Sequence, residues 1–140
     1  MGAHISIPNY QRSVGARYRL EAQKCKKCGI INFPPKGVCI ACGDSNEFEL
    51  VQLSGKGTIY SYTIISGGGA PPEFAEEAVV RGSYPVAVVE LAEGPKVIAQ
   101  MVDAKREDLE IGKPVEMVTR KIYTEEGVIR YGYKFRPASG

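Results

Sequence analysis

Hydrophobic and polar positions along the chain predict β-strands after residue 44. Five segments are rich in β-branched and aromatic residues and are predicted strands: 55–66, 84–91, 96–103, 113–123 and 127–135. The sequence "AEGP" at 92–95 predicts a hairpin turn, and "REDLEIG", which ends at Gly112, predicts one helical turn. Gly57 and Gly132 interrupt their strands, as glycine does at a barrel corner. This order of elements predicts a mainly β domain, a five-stranded Greek-key barrel of the OB-fold type.

The first 24 residues are predicted to form an N-terminal arm. Polar and apolar side chains alternate from residue 17 to 22, which predicts a strand that leads into the cysteine-rich segment. Further upstream, Ile5, Ile7 and Tyr10 are apolar and have no evident core partner in the sequence. Two interpretations remain open for them: docking on a partner, or a frayed terminus.

All four cysteines lie in "CKKCGIINFPPKGVCIACG", residues 25–43. Cys25, Cys28, Cys39 and Cys42 form two Cys-x-x-Cys pairs, and a glycine follows each pair. This spacing is typical of a tetrahedral site with four thiolate ligands, in which each pair forms a turn. Gly29 and Gly43 are expected at positive φ, so that backbone N–H groups point towards the sulfurs. We predict a metal-binding ribbon at 25–43 and a barrel domain at 44–140.

Zinc is the expected ion, and iron of the rubredoxin type is the alternative. Because all four ligands come from protein, no position is left for water or substrate, and the expected role is structural. A pair of disulfides is disfavoured, since nothing in the sequence indicates an oxidising compartment. The N-terminus lacks the apolar core of a secretory signal, and no apolar run approaches a membrane span, so we expect a cytoplasmic protein.

The first connection of the barrel, residues 67–83, is long for a compact domain. Its sequence "PPEFAEEAVV" predicts a short helix that includes Phe74, a second candidate for partner docking. In OB barrels this loop commonly borders the ligand face. The predicted ligand-edge residues are Lys56, Gly67, Gly68, Gly69 and Arg81.

Charge and aromatic residues raise the alternative of single-stranded nucleic-acid binding. Residues 1–43 carry seven basic side chains against one acidic, whereas residues 44–140 carry eleven against fifteen. Four thiolates around a divalent ion reduce the basic excess. Tyr60 and Tyr62 are predicted to share one face of the first barrel strand, and Tyr131, Tyr133 and Phe135 one face of the last, as a platform for bases would need. Packing in the barrel wall and core is the favoured interpretation.

The sequence shows no catalytic constellation. His4 is the one histidine, and the cysteines are assigned to the metal. The serines have no nucleophile-elbow pattern, and the paired acids Glu76 and Glu77 fall in a predicted solvated loop. We therefore predict no catalytic residue and no enzyme activity for the chain alone. A stand-alone thioesterase or hydratase remains a minor alternative.

From Tyr18 to Pro137 the chain resembles the DUF35 family. The resemblance is carried by the cysteine segment together with "GKGTIYSYTII", "YPVAVVELAEG", "LEIGKPVEMV" and "YKFRPA". It implies a rubredoxin-like zinc ribbon followed by an OB-fold, in a non-catalytic partner of thiolase-fold enzymes that act on acyl-CoA.

Within the family, "ARYRLEAQKC" is most similar to archaeal subunits that join acetoacetyl-CoA thiolase to hydroxymethylglutaryl-CoA (HMG-CoA) synthase. That similarity implies a bridging scaffold for intermediate channelling in the mevalonate pathway of isoprenoid synthesis, with acyl-CoA at a shared site. Other relatives resemble partners of lipid-transfer-protein-like thiolases, aldolases or acyl-CoA hydratases, and this alternative stays open.

Overall fold

The fold is given by a computed structural model. It describes residues 7–12, 14–43, 47–66, 80, 82–125 and 127–138, with the backbone alone at 7, 9, 10, 123–125 and 128. Two short helices come first, α1 at Ile7–Arg12 and α2 at Val14–Arg19. In the described part of the chain, no helix is long and apolar enough to cross a membrane.

The prediction of a strand at 17–22 is wrong for residues 17–19, because α2 continues to Arg19. Arg17 and Arg19 lie in the last turn of α2, where cations interact favourably with the helix dipole. Leu20 then adopts a φ of 50°, which ends the helix and turns the chain into the first strand. A period-two pattern over six residues was too short to exclude a helix.

A three-stranded antiparallel sheet follows, in the order β2-β1-β3. Its strands are β1 (Glu21–Cys25), β2 (Ile31–Asn32) and β3 (Phe48–Gln52). In the register of β1 and β3, Glu21 lies opposite Gln52 and Cys25 opposite Phe48. The sheet that carries the cysteine segment therefore extends to Gln52, beyond the predicted boundary at 43–44.

The second sheet has five antiparallel strands in the order β6-β5-β4-β7-β8. Their bounds are β4 Lys56–Ser66, β5 Ser83–Leu91, β6 Lys96–Gln100, β7 Pro114–Glu125 and β8 Val128–Pro137. Each predicted strand is present. A parallel bridge between Met101 and Phe135 joins the chain after β6 to β8, and the Val102 N–H donates to the Phe135 carbonyl oxygen at 2.8 Å. These contacts nearly close the sheet, so the mainly β architecture of a four-cysteine ribbon before an OB barrel is confirmed.

The predicted turns form with local hydrogen bonds. In the β5–β6 hairpin the Leu91 N–H donates to the Pro95 carbonyl oxygen at 2.8 Å, and Gly94 has a φ of 114°. A 3₁₀ turn, Arg106–Asp108, occupies part of the predicted helical turn before β7. Gly57 meets the neighbouring strand so closely that an added Cβ would lie 2.5 Å from the Glu90 carbonyl oxygen. Only glycine allows this approach of β4 to β5.

The ribbon and the barrel share one hydrophobic core. Leu20, Ala22 and Phe33 from the N-terminal part belong to the same buried cluster as Ile59 and Phe135 from the barrel. Leu20 and Phe135 have no exposed surface. Because the two sheets bury side chains against each other, the metal-binding segment is held by the barrel as well as by its own strands.

Candidate metal centre

Two similar turns present the four cysteines. The Gly29 N–H donates to the Cys25 carbonyl oxygen at 2.8 Å, and the Gly43 N–H donates to the Cys39 carbonyl oxygen at 3.0 Å. Both glycines have positive φ, 77° at Gly29 and 75° at Gly43. The prediction of left-handed glycines after each pair is therefore confirmed, and each turn directs two sulfurs to the same side.

The four Sγ atoms lie within 4.8 Å of one another. Cys25 Sγ is 3.6 Å from Cys42 Sγ, and Cys28 Sγ is 3.6 Å from Cys39 Sγ. In a tetrahedron with zinc–sulfur bonds of about 2.3 Å, neighbouring sulfurs are about 3.8 Å apart. A disulfide needs about 2.05 Å, and none of the four cysteines forms one. The sulfurs are thus spaced for a central metal ion.

Hydrogen bonds make one of the thiols unusually acidic. The N–H groups of Cys42 and Ala41, with the Asn32 side chain, lower the pKa of Cys39 to about 6. At Cys28 the Ile30 N–H lowers the pKa, but burial and the neighbouring thiols raise it to about 12. Repulsion between negative charges disfavours the ionisation of four neighbouring thiols. A bound divalent cation would offset this repulsion and favour the thiolate form of all four.

Asn32 supports the site from β2, and the sequence analysis missed it. The side chain is buried at 1% exposure, and its Oδ1 accepts a hydrogen bond from the Ile40 N–H at 3.0 Å. Its buried Nδ2 has no hydrogen-bond partner among the described residues, and the Asn32 side chain helps to lower the pKa of the Cys39 thiol. Such outer contacts orient metal ligands. An asparagine in a two-residue strand gives no signal of this role in the sequence.

Most of the other predicted site residues fall outside the part of the chain that the structure describes. Ile5, Gly67, Gly68, Gly69, Phe74 and Arg81 lie outside the described residues, and Ile7 and Tyr10 are described by backbone alone. Lys56 begins β4 and is exposed, whereas Ser66 ends the same strand before the glycines. Ten residues of extended strand span up to about 33 Å. Lys56 therefore lies at the other end of β4 from the start of the loop, and its role as a ligand contact stays a prediction.

The aromatic platform for nucleic acid does not form. A register shift at Tyr60 pairs Ile59 with Val89 but Ser61 with Val88, so the alternation of faces changes there. Tyr60 contacts Lys96, whose Nζ is 4.2 Å from the ring centroid, while Tyr62 lies opposite the buried Ala87. The prediction that these two tyrosines share a face is wrong.

On the last strand, Phe135 is fully buried and Tyr133 packs edge-on against it, with centroids 6.3 Å apart. Both rings belong to the barrel core or pack against it. The interpretation as core packing is confirmed for these two residues.

Family models match both parts of the chain. Residues 12–49 match the ChsH2 rubredoxin-like zinc ribbon domain, and residues 50–120 match the ChsH2 C-terminal OB-fold domain. A "DUF35 domain-containing scaffold protein" of Methanocaldococcus jannaschii is 42% identical over 128 residues, which cover 90% of this chain and 86% of that protein.

Two further relatives are subunits or parts of enzyme assemblies by name. The "benzoylsuccinyl-CoA thiolase subunit BbsA" of Thauera aromatica is 32% identical over 84% of this chain and 75% of its own length. A solved structure titled "Ltp2-ChsH2(DUF35) aldolase" has a TM-score of 0.67 at 29% identity and covers 93% of this chain and 88% of that chain. Together with the four-cysteine ribbon and the barrel, these similarities show that the chain belongs to the DUF35 family.

Proposed function

We propose that this protein is a non-catalytic scaffold subunit that docks thiolase-fold enzymes acting on acyl-CoA, in the cytoplasm. The observation that carries the proposal is the 42% identity, over most of both chains, with a protein named as a DUF35 scaffold. Relatives named as a thiolase subunit and as part of an aldolase support partners of this class.

The metal centre fits a structural role in such a scaffold. Cys25, Cys28, Cys39 and Cys42 supply four sulfurs, which fill a tetrahedral coordination sphere and leave no position for substrate. We propose zinc as the ion, since four thiolates in this geometry suit it well. Elemental analysis of the purified protein distinguishes zinc from iron.

Exposed apolar side chains on both domains support docking. Ile30, Val38 and Ile40 form the ribbon patch, and each is at least 44% exposed. Tyr62 and Ile64, two residues apart on the same strand, form the β4 patch, and each is 44% exposed. Clusters of exposed apolar residues are typical of interaction sites. A bridge needs one such surface for each enzyme. The ribbon patch lies in the cysteine segment outside its strands, and the β4 patch lies on a barrel strand.

In its finer form, the proposal is that the chain links acetoacetyl-CoA thiolase to HMG-CoA synthase, so that acetoacetyl-CoA passes between them in the mevalonate pathway. Condensation of two acetyl-CoA molecules is unfavourable, and immediate capture of its product draws the reaction forward. The resemblance of "ARYRLEAQKC" to archaeal bridging subunits supports this pairing over an aldolase or hydratase partner.

The test is purification of the tagged, full-length chain from its native source, with identification of what co-elutes. Thiolase and HMG-CoA synthase together support the finer proposal. A lipid-transfer-protein-like thiolase, aldolase or hydratase in their place contradicts it but keeps the scaffold role. A lone monomer contradicts both, as does turnover of acetoacetyl-CoA by the purified chain without a partner.

Three matched variants test the patches. Ile40→Asp in the ribbon patch and Ile64→Asp in the β4 patch should each weaken binding of one enzyme. Ile111→Asp is the control, because Ile111 is 68% exposed but lies outside both patches. Metal content and melting temperature show whether each variant is folded. Equal retention of both enzymes by all three variants contradicts the assignment of the surfaces.

A further inference from the structure

Strand β3 forms one edge of the three-stranded sheet. In the order β2-β1-β3 it pairs with β1 on one side, and none of the described strands lies on its other side. Its register with β1 runs without a shift from Gln52 to Phe48, so the strand is regular over its five residues. An open edge presents unpaired backbone N–H and C=O groups, which can pair with another extended chain.

The hydrogen bonds to β1 show which backbone groups of β3 face outwards. Just beyond the strand, the Leu53 N–H donates to the Leu20 carbonyl oxygen at 3.1 Å. Because such bonded pairs recur at every second residue of an antiparallel ladder, Val51 and Glu49 also turn their backbone groups towards β1. The backbone groups that face away from β1 belong to the alternate residues, Phe48, Leu50 and Gln52.

The side chains of β3 do little to protect this edge. Phe48–Gln52 contains no lysine and no proline, its register has no bulge, and the central Leu50 is 67% exposed. Val51 packs against the shared core, so the barrel covers one face of the strand and leaves Leu50 on the other. An exposed apolar side chain in the middle of a regular edge indicates a surface that another strand covers.

The edge is complementary to a second copy of itself. When two β3 strands pair antiparallel about a two-fold axis at Leu50, the leucines of the two copies lie opposite each other. Glu49 then lies opposite Val51 of the other copy, so no two like charges are directly opposed, an arrangement that would destabilise a strand pair. Within each copy, Glu49 already lies opposite Lys24 of β1. The one charged residue of β3 therefore does not oppose self-pairing.

We propose that β3 pairs with β3 of a second copy of this chain, in a two-fold dimer whose sheet continues through both copies. The outward groups of Phe48, Leu50 and Gln52 supply up to about six backbone hydrogen bonds across the axis. Two five-residue strands bury less than the roughly 1,200 Å² of a stable interface, so we expect a weak dimer. The proposal goes beyond the scaffold role and does not depend on it, because the edge belongs to this chain alone.

The test is sedimentation of the full-length, metal-loaded chain at concentrations up to about 1 mM, where we expect a monomer–dimer equilibrium. Leu50→Pro removes the central outward N–H and no hydrogen bond to β1, and an edge strand tolerates proline at such a position. In dilute solution this variant should keep the metal content and melting temperature of the wild type. Its self-association should be at least about tenfold weaker.

An exchange of charge tests the register. Leu50→Glu and Leu50→Lys each place like charges opposite one another at the axis, so each variant alone should associate more weakly than the wild type. An equimolar mixture of the two should form a heterodimer at least about threefold tighter than either homodimer. Ile98→Glu, at a 70% exposed position on β6, is the control and should dimerise as the wild type does.

A wild-type chain that remains monomeric over this range overturns the proposal, as does a dimer that Leu50→Pro leaves unchanged. A mixture no tighter than either charged variant alone contradicts the proposed register. A monomeric wild type whose co-elution with an enzyme is lost in Leu50→Pro would assign the edge to that enzyme, and pairing with a second copy would then be wrong.

Discussion

The ring of Phe33 packs on the ring of Tyr133, with centroids 5.8 Å apart and planes tilted by 60°. Phe33 follows Asn32, whose side chain holds the second cysteine turn, and Tyr133 is on the last barrel strand. Two adjacent residues therefore connect the metal centre with the barrel. This contact makes the ribbon and the barrel a single packing unit.

Phe33→Ala should destabilise the whole chain. The side chain is 8% exposed, and truncation of a buried phenylalanine typically lowers the free energy of unfolding by about 3–5 kcal/mol. Ile30→Ala is the matched control in the same segment, because Ile30 is 44% exposed and should change stability by less than about 0.5 kcal/mol. Urea unfolding with saturating metal measures both. Similar values for the two variants would show that Phe33 does not join the domains.

Asn32→Ala should weaken metal binding without removing a ligand. Loss of the bond to the Ile40 N–H leaves the second turn less well oriented, and changes in such outer contacts typically lower metal affinity about 10–100-fold. Chelator competition at fixed pH measures the affinity. Gln23→Ala is the control, since Gln23 Oε1 also accepts a backbone hydrogen bond in the ribbon, from the Lys36 N–H at 3.0 Å, on an exposed surface. An equal loss in both variants would assign the effect to general loosening of the ribbon.

Cys39→Ser should abolish stable metal binding. Three thiolates and a serine hydroxyl form a much poorer site than four thiolates, and folding of the ribbon depends on the ion. We expect about one ion per chain in the wild type and far less in the variant after dialysis, by elemental analysis. Lys27→Ala, which lies inside the first turn but supplies no ligand, should retain the ion. A full equivalent of metal in Cys39→Ser would contradict the four-sulfur site.

Gly57→Ala should strain the β4–β5 pair. The added Cβ would meet backbone at Glu90 and the side chain of Val89, and overpacking of this kind typically destabilises by about 1–3 kcal/mol. At Gly37→Ala the added Cβ meets nothing within 4 Å, and that variant should be neutral or slightly more stable. Thermal unfolding compares the two. Equal melting temperatures would show that β4 and β5 accommodate the added Cβ without loss of stability.

Stability should fall at alkaline pH through Tyr133. Burial raises the pKa of this phenol above its ordinary value of 10.0, although the charge of Arg17 opposes the rise. As the pH rises, the Tyr133 phenol therefore ionises in the unfolded chain before it ionises in the folded one. Its contribution to the free energy of unfolding is complete below pH 10 and is lost as the pH rises towards the folded-state pKa.

Tyr133→Phe lacks this group, so the stability of the wild type should decline relative to the variant above about pH 10. Urea midpoints across that range measure the difference. Tyr131→Phe, on the same strand but exposed, controls for the loss of a hydroxyl. A constant difference between the wild type and Tyr133→Phe at all pH values would contradict the burial effect.

Local pattern was enough to predict the barrel strands and the cysteine site. Strand β4 is dense in β-branched and aromatic residues, and Cys-x-x-Cys-Gly fixes a turn within five residues, so neighbouring side chains carry most of the information. Strand β3 was not predicted, because its side chains are mostly exposed or half-buried and its place depends on backbone pairing with β1. Its short apolar pattern alone does not specify a strand.

The features that the sequence did not predict depend on contacts between distant parts of the chain. The register shift at Tyr60 depends on how β4 meets β5, and it reverses the faces expected for the tyrosines. A cavity of about 290 Å³ is lined by Arg17 from α2 and by Gln100 and Lys134 from the barrel, which follow Arg17 in the sequence by more than eighty positions. Contacts over such separations follow from the closed sheet and not from any local motif.

The contact between the end of β6 and β8 cannot form until the last strand has been synthesised, so the barrel closes late during translation. Translation proceeds at about 5–20 residues per second, so β8 leaves the ribosome roughly 4–17 s after β3. In that interval Leu20 and Phe33 have no barrel to pack against, and they are a hazard for aggregation. Early capture of the ion would fix the cysteine turns while the nascent chain waits for its last strand, so metal supply in the cell should influence how much protein reaches the native state.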